Sequence, residues 1–219
     1  LNAEPASDVV ISVTSSDTGE VTASPSALTF TSANWNIAQT VTLTGANDNL
    51  VDGSQTSTVT LSVVDGSSDD DFDGVADQTV SVTTTDSDVA GFTVIESGGT
   101  TTVPEDGSTT DDFTVVLDAQ PTSDVVLSIV SADIGEVTVS PATLTFTSGN
   151  WDSSQTVTVT GVDDSLIDGS QTTVVSIAVV DESSNDSFDS LLDQTVSVST
   201  ADDDTAGFTV SQTDGSSSV

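Results

Sequence analysis

Short runs along the chain alternate apolar with small polar residues: Phe113 to Leu117, Val125 to Ile129, Thr143 to Phe146, Thr156 to Thr160, Thr173 to Val180 and Thr195 to Ser199. A period of two over four to eight residues, punctuated by Asp, Gly, Pro and Ser, predicts strands, and no stretch keeps a helical period long enough to compete. The alternation turns Leu144, Phe146, Val157, Val159, Val196, Val198, Phe208 and Val210 toward a core and Thr145, Thr156, Thr158 and Ser197 toward water. Thr and Ser on the outer face give strand propensity without charge.

The pattern repeats. Val21 to Trp35 (VTASPSALTFTSANW) recurs as Val137 to Trp151 (VTVSPATLTFTSGNW), and at that shift of 116 residues 1–103 overlay 117–219 without a gap, with 61 identities in 103 positions. A period of this length marks a tandem array of one domain. Seven or so strands in 116 residues fit an all-β, immunoglobulin-like sandwich. The boundary between copies falls at an acidic triplet, so the complete domain is expected at 89–204. Residues 1–88 are then the same domain without its first two strands, and 205–219 the opening strand of a further copy. Asp204 is followed at once by Thr-Ala-Gly-Phe-Thr-Val, which leaves almost no linker and predicts stiff joints. Trp35 and Trp151, each after Asn, read as core caps in preference to a sugar-stacking platform.

Composition narrows the chemistry. The chain holds 36 acidic residues and no Lys, Arg or His, for a formal charge of −36, and 30 of the acids are Asp. A nucleic-acid partner is excluded by sign, and no internal salt bridge offsets the repulsion. No apolar run is long enough for a membrane-spanning helix, so membrane insertion is not expected. Nucleophilic triads, Schiff bases and zinc sites need Cys, His or Lys that are absent. A glycosidase-like carboxylate pair would lack aromatic residues to line a sugar cleft. The expectation is therefore a protein that is not an enzyme.

Asp favours turns and disfavours strand interiors, and most of the acids lie between strand patterns. Four segments of the complete domain offer carboxylates at strand ends: Glu105-Asp106, Glu136, Asp163-Asp164 with Asp168, and Asp202-Asp203-Asp204. Calcium takes six to eight oxygen ligands at flexible geometry, and turns that converge at one end of a sandwich would supply them. A second candidate is Asp69-Asp70-Asp71-Phe72-Asp73-Gly74, whose alternate Asp residues before Gly match the start of a calcium-winding loop. An acid-rich hairpin turn explains that stretch equally well.

The segments VPEDG with FTVVL, then TVTVTGVDDSLIDG, then VSVSTADDDTAGFTV resemble the Calx-beta repeat and together span the whole unit. In that family calcium is held at one end of the sandwich by an early Glu, an Asp-Asp-x-x-x-acid turn and a terminal Asp triplet. The resemblance implies Glu105, Asp163, Asp164, Asp168, Asp202, Asp203 and Asp204 as metal ligands in the complete copy, and Asp48, Asp52, Asp86 and Asp88 in the first. The first copy departs from the pattern: Asn47 replaces one acid, Ser87 interrupts the triplet, and no counterpart of Glu105 is present. Fewer ions are expected there. Where the family's calcium-sensing members carry a further Asp, this chain has only Glu136.

The implied function is a calcium-stabilised structural repeat of an extracellular or cell-surface filament, stalk or array, with neighbouring repeats or subunits joined head to tail. The alternative is an adhesin module recognising a sugar or protein. A ligand-binding domain is expected to break the repeat with a loop insertion, and these copies align without a gap. The chain starts in mid-pattern at Leu1, so it reads as an excerpt of a longer polypeptide in preference to a strand-donating subunit.

Overall fold

The computed structural model describes residues 1–212 and 215. They form two compact units, Leu1–Asp88 and Val89–Val219.

Among its described residues unit 2 contains nine strands: β7 (Phe92–Glu96), β8 (Thr101–Pro104), β9 (Thr110–Leu117), β10 (Val125–Ser131), β11 (Val137–Ser140), β12 (Thr143–Phe146), β13 (Gln155–Gly161), β14 (Gln171–Val179) and β15 (Gln194–Ala201). One sheet has the order β12-β10-β14-β15-β8 and the other β11-β13-β9-β7. All neighbours are antiparallel except β8, which runs parallel to β15. Alternate residues of both sheets are shut off from water: Phe113 and Val115 on β9, Val157 and Val159 on β13, Val175 and Ile177 on β14, Val196 and Val198 on β15. Each sheet covers the other, as in an immunoglobulin-like sandwich. Every large apolar side chain so buried contributes about 1.5–3 kcal/mol.

The expected inward residues Leu144, Phe146, Val157, Val159, Val196 and Val198 are buried, and Thr145, Thr156 and Ser197 are exposed. Two assignments are corrected. Phe208 is 91% and Val210 76% exposed, because residues 205–212 join no sheet. In β7 the matching Phe92 is covered because that strand pairs with β9, Phe92 opposite Leu117. Trp35 and Trp151 are half-buried in turns that follow the Ala27–Phe30 strand and β12.

Unit 1 contains β1 (Val9–Ser15), β2 (Val21–Ser24), β3 (Ala27–Phe30), β4 (Thr42–Gly45), β5 (Gln55–Val63) and β6 (Gln78–Thr84). They form a sheet β3-β1-β5-β6 and a β2-β4 ladder, around Val13, Val21, Leu28, Phe30 and Val59. These six strands match β10–β15 at the shift of 116. The largest difference is instructive: β13 starts at Gln155, whereas β4 starts three positions late, at Thr42. Gln155, Thr156 and Val157 are held by Val115, Thr114 and Phe113 of β9. Among the described residues of unit 1 there is no counterpart of β9, so Gln39–Val41 have nothing to pair with.

Candidate metal centre

Parallel pairing of β8 with β15 sets Pro104 opposite Ala201, so the chain leaves both strands side by side and delivers Glu105 next to Asp202. The Glu105 N–H donates to the Ala201 carbonyl at 3.0 Å. The third contributor, Asp163-Asp164, follows β13, whose last residue is Gly161. The Pro104-Glu105 backbone crosses directly over Gly161: a Cβ there would lie 2.1 Å from Pro104 O and 3.1 Å from Glu105 Cα. Only glycine permits this approach.

The result is a tight acidic group. Carboxylate oxygens of Glu105, Asp164 and Asp204 lie within 4.8 Å of one another. Two oxygens sharing one calcium at roughly 2.3–2.6 Å are at most about 4.6–5.2 Å apart, so this spacing suits a single ion. Glu105 is 4% exposed and accepts a hydrogen bond from Asp164 N at 3.1 Å. That bond lowers the Glu105 pKa, but burial and the charges of Asp164, Asp202 and Asp168 outweigh it and leave the group above the ordinary glutamate value. Asp204 is also raised, by burial first and then by the charges of Asp202, Asp203, Asp163 and Asp164. Its Oδ2 is buried and has no hydrogen-bond partner among the described residues. A buried, unpartnered carboxylate oxygen among other carboxylates is a costly arrangement unless a cation meets it.

The remaining expected ligands surround this group without joining it. Asp202 builds the turn: Oδ2 accepts from Gly169 N at 2.7 Å and Oδ1 from Asp204 N at 2.8 Å. Asp168 adds to the negative charge that raises Glu105, and Asp163 and Asp203 to that which raises Asp204. Glu136 accepts from Thr200 Oγ1 at 2.9 Å and lies outside the three-carboxylate group.

In unit 1, Asp48, Asp52, Asp86 and Asp88 line one cavity of about 30 Å³, together with Glu20 and Asn47. Asp86 repeats the turn-building role of Asp202, accepting from Gly53 N at 2.8 Å, Asp52 N at 3.1 Å and Asp88 N at 2.7 Å. These backbone donors pull its pKa down. Asp52 is pushed up by burial, then by Glu20, Asp48 and Asp86. Sequence reasoning left Glu20 out of this set; Glu136, one of the four carboxylate segments of the complete copy, aligns with it at the shift of 116 and is the signal that could have found it.

The stretch that begins at Asp69 is organised differently. The Asp69 carboxylate accepts from Ala6 N, Ser7 N and Asp71 N at 2.6, 2.9 and 3.1 Å. Its counterpart Asn185 donates to Thr122 and Ser123 and accepts from Ser187 N. Asp and Asn clip the same turn to the same neighbouring segment, which accounts for both residues at one repeat position. Asp189 has a buried, unpartnered Oδ1 and a pKa raised by burial, Asp181 and Asp186.

No family model matches the chain, and no curated protein matches it. Among solved structures it is similar to domains 4 and 5 of the S-layer protein SbsC, at 17% identity and TM-score 0.40 over 88% of this chain and 70% of that one. It is similar to the apo-form Calx CBD1 domain at 15% identity and TM-score 0.34, over 52% of this chain and 98% of that one. It is also similar to invasin, a bacterial integrin-binding protein, at 17% identity and TM-score 0.36, over 89% and 32%.

Proposed function

We propose that the chain is a calcium-stabilised structural repeat of an extracellular or cell-surface array, without enzymatic activity, whose neighbouring repeats join head to tail. The observation that carries the calcium reading is the convergence of Glu105, Asp164 and Asp204, one of them almost fully buried, in a chain with no basic side chain to neutralise them. An all-oxygen, carboxylate-rich donor set suits a hard divalent cation with flexible coordination, which favours calcium over zinc or copper. The ion would be held by Glu105, Asp164 and Asp204, with Asp202 fixing the turn and Asp163, Asp168 and Asp203 adding negative potential. Asp48, Asp52, Asp86 and Asp88 are the corresponding, weaker set in unit 1.

Its role would be mechanical. It ties the ends of β8, β13 and β15 together where they otherwise repel. A ligand at 100 times its dissociation constant stabilises the folded form by about 2.7 kcal/mol. Thermal melts in excess calcium and in excess chelator test this: the chelated protein melts several degrees lower, and coincident curves would refute the reading. Magnesium, which demands tighter octahedral geometry, is expected to substitute poorly.

A further inference from the structure

Unit 1 leaves open, among the described residues, the sheet edges that β8 and β9 occupy in unit 2. In unit 2, where β8 pairs with β15 and β9 with β13, Val196, Val198, Val157 and Val159 are at most 1% exposed. The counterparts in unit 1 are open: Val80 is 47% exposed, and Val82, Val41 and Leu43 are only half-buried. Between β4 and β6 runs a groove of about 380 Å³ lined by Leu43, Gly45, Ala46, Val82 and Thr84. Among the described residues no strand pairs with the outer side of β6 or with the side of β4 away from β2.

Gly45 identifies what fits. Its counterpart Gly161 has to be glycine because Pro104-Glu105 crosses it, yet a Cβ at Gly45 meets only Thr84 Cγ2, at 3.4 Å. Gly45 has a negative φ and no close backbone neighbour, so nothing in unit 1 itself requires glycine. The residue keeps clear the path that a crossing segment takes in unit 2. At the end of that path stands the acidic cavity of Asp48, Asp52, Asp86 and Asp88, which has Asn47 and Ser87 where unit 2 has Asp163 and Asp203 and, among the described residues, no counterpart of Glu105.

We propose that the groove between β4 and β6 is a docking site for an extended segment of the Thr101–Leu117 type, whose Pro-Glu step crosses Gly45 and whose glutamate completes the acidic cavity of unit 1. The mode is strand addition at two sheet edges, with backbone hydrogen bonds giving affinity and alternate side chains giving register. By the unit 2 register, the first part of the segment lies parallel to β6 along Val82–Thr84, and the second antiparallel to β4, its phenylalanine opposite Val41. Such a segment is itself acidic, so it meets repulsion at the cavity unless a cation is shared there. The cation dependence, and only that part, rests on the calcium reading above.

The test is titration of the whole 219-residue protein with a labelled 17-residue peptide of the sequence 101–117, in calcium and in chelator, with hydrogen exchange read on the complex. The expected result is saturable 1:1 binding in calcium with new protection at Thr42–Gly45 and Gln78–Thr84. Gly45→Ala, which has room to fold normally, is expected to weaken binding at least about tenfold, or 1.4 kcal/mol. Val80→Ser, at an already half-exposed position, gives an independent loss. Absence of binding, protection elsewhere, or indifference to both substitutions overturns the proposal. So does self-association of the peptide-free protein that protects β4 and β6, since a second copy would then be the occupant. Binding that is equal in calcium and chelator but still lost in Gly45→Ala upholds the docking site and counts against the calcium reading instead.

Discussion

Replacing Gly161 by Ala puts one methyl group where the Pro104-Glu105 backbone passes. The added Cβ would sit 2.1 Å from Pro104 O and 2.9 Å from Pro104 C, so the crossing chain has to move by about 1 Å to reach ordinary contact. Because the obstacle is backbone held in the β8–β15 ladder, no side-chain rotation relieves it. Overpacking of this kind costs about 1–3 kcal/mol, which in a domain of this size lowers the melting temperature by roughly 5–15 °C. The displacement also pulls Glu105 from Asp164 and Asp204, so calcium affinity falls together with stability. Gly45→Ala is the internal control: at the same repeat position the methyl group meets only the Thr84 side chain, and loss of glycine entropy in the unfolded chain gives a gain of about 0.4–1 kcal/mol. Differential scanning calorimetry in calcium, with urea unfolding for the free energies, measures both. If Gly161→Ala is as mild as Gly45→Ala, the close crossing does not set the site and the reasoning fails.

Further outcomes follow from the same geometry. Asp69→Ala strips three backbone N–H groups of their acceptor and is expected to lower the unit 1 melting temperature, whereas Asp69→Asn, which copies Asn185, leaves it nearly unchanged. Phe188→Ala, at a side chain with no exposure, destabilises unit 2 by about 3–5 kcal/mol in urea unfolding. The same change at its half-buried counterpart Phe72 costs clearly less. In chelator, groups raised above their ordinary values, Glu105, Asp204, Asp52 and Asp189, favour the folded state below the usual carboxylate pKa and lose that contribution as pH rises through their folded values. Melting temperature of the chelated protein should therefore fall as pH rises above the ordinary carboxylate range. The lowered groups Asp69 and Asp86 act the other way, losing their contribution only as pH drops below the ordinary Asp value of 3.8. With saturating calcium the decline toward neutral pH disappears.

Strands and their facing were legible because a period of two in Val, Thr and Phe has one physical meaning, and the 116-residue repeat doubled every observation. What could not be read was pairing. Thr101–Pro104 carries no alternation strong enough to mark it as a strand, yet its parallel ladder with β15 is what delivers Glu105 to the acidic end. Phe208 and Val210 show the opposite limit: their pattern matches Phe92 and Val94, but a pattern does not bury a strand that lacks a partner. Within the acidic segments, composition located the turns without dividing their labour. Asp202 and Asp86 are taken up by backbone donors, while Asp204 is left with an unpartnered oxygen, and that division depends on the geometry of the loops that follow β15 and β6.

Calorimetric calcium titration of the wild-type protein beside Glu105→Gln tests the central claim most directly, because the change removes one charge and keeps the shape of the most buried member of the group. The wild-type chain should bind calcium in unit 2 with a matching rise in melting temperature, and Glu105→Gln should lose most of that heat and that rise while remaining folded in chelator. A wild-type chain that takes up no calcium, or a Glu105→Gln protein that binds it as the wild type does, would contradict it.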